Sequence, residues 1–208
     1  SGPCSITRAA TAASEGWSTS TAVSFVAETF PAVRLGHPDS PALSVIAKML
    51  RSLYLHREIR EKGGAYGGFA LYNAEDGLFS FGSYRDPHIA GTLQVYDRAA
   101  DFIRSGNFSD EDVKEAILQV CSEIDKPDPP GPAARKAFYR RIIGLSDEIR
   151  LRHKESLLQL TREAVMTAAE RYFTDDRSNK AVAVISSRSP LEAANEKLSG
   201  RKLILQTV

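Results

Sequence analysis

Apolar and polar positions alternate along this chain in two periods, one of strands near its ends and one of helices through its middle. Residues 19–30 are β-branched and aromatic, with Val23, Phe25 and Ala27 alternating against Ser24 and Glu28, the period of a strand. After a loop over residues 31–38, Ser40 is the expected N-cap of a helix with Pro41 at its first position. Leu43, Ile46, Ala47, Leu50, Leu53 and Tyr54 then recur at helical spacing, so a long helix runs to Lys62 with an apolar face suited to covering a sheet. Gly63 and Gly64 end it. Residues 65–72 and 78–84 are aromatic-rich and joined by a short loop ending in Asp76-Gly77, which predicts a hairpin.

Helices fill the middle. Asp86-Pro87 reads as a cap with proline in the first turn, opening a helix to about Ser105. Ser109 opens the next, whose core face includes Val113, Ala116, Ile117, Val120 and Cys121, so Cys121 reads as a buried small apolar residue. The proline-rich residues 127–132 predict a rigid surface connection outside any helix. Helix follows to Phe173, broken at Gly144 and restarted at Ser146 and Thr161. Residues 180–186 predict a buried strand, residues 190–198 a short helix and residues 202–208 a last strand. Few β-α-β alternations and helices gathered in the middle predict an α+β fold, a mostly antiparallel sheet with helices packed on one face. Residues 1–18, rich in Ser, Thr and Ala, read as a linker, leaving residues 19–208 as a single domain.

Composition narrows the partners. Lys and Arg number 27 against 26 Asp and Glu, interspersed, so neither a nucleic-acid footprint nor a membrane-binding block is present. No apolar run reaches membrane-spanning length, and the first residues lack the apolar core of a signal peptide and the arginine richness of a transit peptide. Soluble, cytoplasmic or organelle-matrix residence is expected. Cys4 and Cys121 have neither metal-like nor redox-like spacing; a reducing compartment fits, and one disulfide between them stays open. The histidines, at 37, 56, 88 and 153, form no zincin-type pair flanked by a glutamate, so no local metal site is expected and His56 reads as a solvated side chain. No nucleophile elbow appears.

The remaining candidate chemistry lies between Leu55 and Gly68. Two glycines at a helix end allow an immediate turn into a strand. That turn brings Arg60, a permanently charged fork of donors, near the phenol of Tyr66, and both suit a carbonyl oxygen. Two other readings of the same residues stand beside this one. Basic side chains in a last helical turn oppose the macrodipole, worth roughly 0.3–1 kcal/mol each, and Gly-Gly is an ordinary stop. A phosphate cradle needs its glycines at a helix N-terminus, whereas these lie at the C-terminal end.

The run from Leu55 to Gly68, with Ser83-Tyr84-Arg85-Asp86-Pro87 and Ile124-Asp125-Lys126-Pro127, resembles the C-terminal domain of the presequence-protease branch of the pitrilysin/insulinase metallopeptidases, from about Trp17 to Phe173. In that family four homologous α+β domains form two halves that close around an unfolded peptide. The resemblance implies that this chain is the fourth, zinc-free domain, non-catalytic by itself, with the zinc on another domain of the same polypeptide. It implies that Arg60 and Tyr66 hold the substrate backbone near the scissile bond. Gly63 and Gly64 would let the peptide approach, while Arg85 and Asp86 support the site, Asp86 by capping the next helix and Arg85 by pairing with nearby carboxylates. The alternative is a structural or interaction module of the same fold without a substrate role. The face that would meet neighbouring domains should leave an apolar patch, so artificial self-association into a homo-oligomer is expected.

Overall fold

The computed structural model describes residues 13–174, 179–200 and 202–208. Six strands form one mixed sheet: β1 (Ser14–Ser18), β2 (Ser24–Pro31), β3 (Gly67–Asn73), β4 (Leu78–Asp86), β5 (Ala181–Ser186) and β6 (Ile204–Thr207), in the order β3-β4-β2-β5-β1-β6. The β3-β4, β4-β2 and β2-β5 pairs are antiparallel, while β1 is parallel to both β5 and β6. The fold is α+β as expected, with the sheet mixed at one end. The helices are α1 (Ser40–Met49), a π-type continuation (Leu50–Lys62), α2 (Ala90–Asp97), α3 (Ala99–Arg104), α4 (Asp110–Asp125), α5 (Pro130–Ile142), α6 (Asp147–Leu158), α7 (Arg162–Tyr172) and α8 (Arg188–Lys197).

Most of the sequence signals acted where they stand. Ser109 and Asp112 form a reciprocal capping box on α4, and Ser146 and Thr161 accept from Ile149 and Ala164 to start α6 and α7. Asn73 Oδ1 accepts from the amides of Glu75 and Asp76, and Gly77 at φ 73° completes the hairpin between β3 and β4.

Other expectations are corrected. Residues 14–18, expected in the linker, are β1: hydrogen bonding to β5 and β6 supplies the order that the short segment Ser14–Ser18 cannot show by itself. Residues 1–12 of that linker, with Cys4, lie outside the described residues. α1 is capped at Asp39, so Ser40 is helical and its buried hydroxyl accepts from Tyr72 Oη at 3.0 Å. α5 starts inside the proline run, at Pro130, because proline in a first turn lacks only an amide that has no intrahelical acceptor. β5 is central, yet Ala181, Ala183 and Ile185 on one of its faces are exposed. Cys121 is half-buried and packs against the core.

One face of the sheet meets the helices. Phe79 and Phe81 lie there among Phe30, Tyr96 and Phe173, with ring centroids 4.8 Å apart for Phe79 and Phe173 and 5.0 Å for Phe81 and Tyr96. The alternation expected of β2 left open which set faces inward: Ser24, Val26, Glu28 and Phe30 face the helices, while Phe25 and Ala27 are exposed.

Candidate functional site

The helix that ends at Gly63 widens before it stops. Its buried side chains beyond α1 are Leu50, Tyr54, Leu55 and Ile59. An α-helix turning 100° per residue would put Ile59 about 180° from Leu50. A helix closed by i→i+5 bonds turns roughly 82° per residue, which returns Ile59 to within about 20° of Leu50. The widening keeps all four on the sheet-facing side, and Arg60 falls on the exposed side next to Ile59.

The two glycines act differently. Gly64 takes φ +72° and its amide donates to Arg60 O at 3.1 Å. Gly63 is helical at φ −82°, but a Cβ there would stand 2.6 Å from Ile59 O. Ala65 N donates to Ile59 O at 3.1 Å, and Tyr66 N reaches Arg85 O at 3.4 Å, so the turn is tied to the end of β4.

That end of β4 is bulged. Phe25 pairs with Tyr84 but Ser24 pairs with Asp86, leaving Arg85 as the extra residue. Arg85 has φ 52°, the left-handed region that costs a non-glycine residue about 1–2 kcal/mol. The bulge breaks the alternation, so Tyr84 and Arg85 both face solvent and Asp86 turns inward. Arg85 Cζ lies 5.9 Å from the centroid of the Tyr66 ring, and Tyr84 packs on Tyr66 with centroids 5.3 Å apart.

Asp86, 1% exposed, accepts from Ser83 Oγ at 2.6 Å, Thr92 Oγ1 at 2.7 Å and His88 N at 2.8 Å. It ties β4 to the loop before α2, which begins only at Ala90, so Asp86 is not that helix's N-cap. Pro87 disfavours helical backbone at the residue before it.

Of the predicted site residues, the structure thus gathers Tyr66 and Arg85 against one another, with Arg60, Gly63 and Gly64 in the adjoining turn. Asp86 stands behind, in a separate buried network. Arg85 meets Tyr66 rather than a carboxylate. Glu58 engages Lys62 at 2.8 Å and Arg57 at 3.0 Å, contacts that hold its carboxyl below the ordinary range, Lys62 first. Arg60 has no ion-pair partner among the described residues, and Tyr66 is 61% exposed. Tyr84 is the residue that sequence reasoning missed as a wall of the site. Its signal was the facing Gly67, where an added Cβ would lie 2.7 Å from the Tyr84 ring. Among the described residues no group of three or more His, Cys, Asp or Glu is placed to hold a metal, so the side chains here do not fit a zinc ion.

The architecture resembles that of solved peptidase domains. The M16 peptidase inactive domain from Pseudomonas fluorescens superposes with a TM-score of 0.67 at 14% identity, over 93% of this chain and 45% of that one. Pitrilysin does so at 0.59 and 11% identity, over 95% of this chain and 22% of its own. At such identities the likeness is one of fold.

Sequence gives the family. Residues 15–188 match the family described as PreP C-terminal domain, and the chain belongs to that family. The mitochondrial presequence protease of Xenopus laevis is 39% identical over 163 residues, 78% of this chain and 16% of that protein. That of Kluyveromyces lactis is 40% identical over 157 residues, 75% of this chain and 16% of its own length. The chain thus spans about a sixth of the curated relatives it matches.

Proposed function

We propose that this domain is the non-catalytic, substrate-binding part of a zinc metalloendopeptidase that cleaves short unfolded peptides, with Arg60 and Tyr66 holding the peptide backbone near a scissile bond. The observation that carries the reading is the turn itself. Its helix end, wide helix and bulged strand leave Tyr66 and Arg60 both exposed at the same turn, and no carboxylate among the described residues engages Arg60. A carbonyl that becomes a tetrahedral oxyanion gains most from donors already in place. Removing one such donor commonly costs about 2.7–4 kcal/mol of activation free energy.

Zinc, in this reading, belongs to another domain of the same polypeptide, and unfolded peptide and those domains are the partners. The names of the two curated relatives above, both called mitochondrial, favour an organelle over the cytoplasm. The test is Arg60→Ala and Tyr66→Phe in the full-length enzyme. Each is expected to lower kcat for an unstructured peptide by about 100-fold or more. Unchanged turnover would remove the reading.

A further inference from the structure

The sheet face turned away from the helices carries an apolar row that runs on from Tyr66. Pairing registers place Tyr84 beside Phe25, Phe25 beside Ile185 and Ile185 beside Trp17. These side chains are 38%, 41%, 45% and 36% exposed. The first of them, Tyr84, is the one in ring contact with Tyr66. Alongside runs a lower row, from Gly82, capped by the Phe69 ring, through Ala27 and Ala183. The open face at this end of the sheet is therefore a ridge of large side chains beside a floor of small ones.

Polarity is inverted across the sheet there. The covered side holds Ser24, Ser83, Asp86 and Ser186, each at most 4% exposed, with Ser24 and Ser186 hydroxyls 2.9 Å apart. A sheet with one solvated face should alternate the other way. Burying serines and leaving two aromatic rings of β2 and β4 in water sacrifices hydrophobic stabilisation of the fold, and marks the row as a binding surface.

Its size selects the occupant. Four side chains of about 200 Å² each, about two-fifths exposed, offer roughly 300 Å², well short of the roughly 800 Å² per partner of a stable protein–protein interface. The row crosses three strand spacings, about 14 Å, the length of roughly four extended residues. The geometry points to a subsite for an extended peptide: apolar side chains of the substrate lie against Tyr84, Phe25, Ile185 and Trp17 while its backbone continues to Arg60 and Tyr66. This inference rests on the peptide-binding reading above.

Trp17 is the single tryptophan of the chain and stands at the end of the row, so its emission reports occupancy directly. The probes are two unstructured peptides of about 20 residues, free of tryptophan, identical except that one carries a central Leu-Phe pair and the other Ser-Asn. The Leu-Phe peptide should change Trp17 emission saturably and bind at least fivefold more tightly than the Ser-Asn peptide. Phe25→Thr and Ile185→Thr, both on the open face and both suited to strands, should each weaken it at least fivefold while unfolding in urea stays cooperative. If either variant does not fold, the comparison of the two peptides on the unaltered chain decides alone. A silent Trp17, equal affinities for the two peptides, or indifference to folded variants overturns the subsite. So does Trp17 emission that depends on protein concentration without peptide, with a doubled mass in light scattering, since a second copy would then occupy the row. If Ile185→Thr weakens the Leu-Phe peptide while Arg60→Ala and Tyr66→Phe leave turnover intact, the clamp fails and the row stands. The converse pattern removes the row alone.

Discussion

Gly63 and Gly64 make the same turn for different physical reasons, and substitution separates them. At Gly64 a Cβ has room, its nearest neighbour being Pro87 Cγ at 3.9 Å, so Gly64→Ala meets only the conformational cost of φ +72°. That cost is about 1–2 kcal/mol. Asparagine visits the left-handed region more readily, so Gly64→Asn should recover part of it. At Gly63 the backbone angles are ordinary, but the Cβ meets Ile59 O at 2.6 Å and Glu58 O at 3.0 Å. Both are backbone atoms, and Ile59 O is also the acceptor for Ala65 N. Neither can swing away as a side chain could, so the helix end must shift.

Overpacking of this kind costs about 1–3 kcal/mol, and nothing about asparagine relieves it. Gly63→Ala and Gly63→Asn should therefore be equally destabilising, and Gly64→Asn milder than Gly64→Ala. Urea unfolding of the chain, followed by circular dichroism, measures all four. Turnover by the full-length enzyme adds the functional half: Gly63→Ala displaces the link that carries Tyr66, so it should slow peptide cleavage beyond any loss of folded protein. Recovery by asparagine at position 63 would refute the steric argument, and no recovery at position 64 would refute the conformational one.

Two further predictions concern His153 and Arg85. His153 is 6% exposed with Nδ1 unpartnered among the described residues, and burial holds its imidazole at about 4, down from 6.5. Because the unfolded chain takes up the proton first, His153 leaves stability untouched above about pH 6.5 and lowers it as pH falls toward 4, by up to about 3 kcal/mol. Urea midpoints between pH 7 and 5 should fall in the unaltered chain and flatten in His153→Leu; a parallel slope in the variant would exclude the imidazole as the cause. At the bulge, Arg85→Ala and Arg85→Gly both lose the guanidinium over Tyr66, but only alanine keeps the left-handed cost. Arg85→Gly should be the more stable of the two by about 1 kcal/mol, and equal stabilities would mean that the bulge relaxes.

Much of the architecture was legible because it is coded locally. Ser109, Ser146 and Thr161 are followed within three residues by the amides they cap, and Gly64 needed no knowledge of the rest of the chain to be read as a stop. β1 was not legible for the opposite reason. Gly16 belongs to it because Leu191, Leu203 and Leu205 crowd that position, an added Cβ lying 2.9 Å from Leu205 Cδ2, and these partners stand far along the chain. A five-residue strand with a glycine at its centre carries no alternation to detect, and its order comes from β5 and β6.

Three features that the local pattern leaves open or misstates border one surface. Period-two alternation in β2 is the same whichever set faces inward, so only the pairing with β4 and β5 reveals that Phe25 is outside and Ser24 inside. An α-helical period over residues 50–62 would have turned Ile59 away from the core, and the wide helix corrects it just before Arg60. The bulge at Arg85 adds one residue to β4 and turns two successive side chains outward. Each departure weakens local regularity, and each delivers a side chain to the open end of the sheet: Phe25, Arg60, Tyr84 and Arg85, beside Tyr66. Local rules fail in a fold where another requirement outweighs them. Here three such failures converge on the surface where Tyr66 lies, whereas the capped helices α4, α6 and α7 behind it obey those rules. That contrast is the physical reason to look for the peptide on this face rather than among the helices.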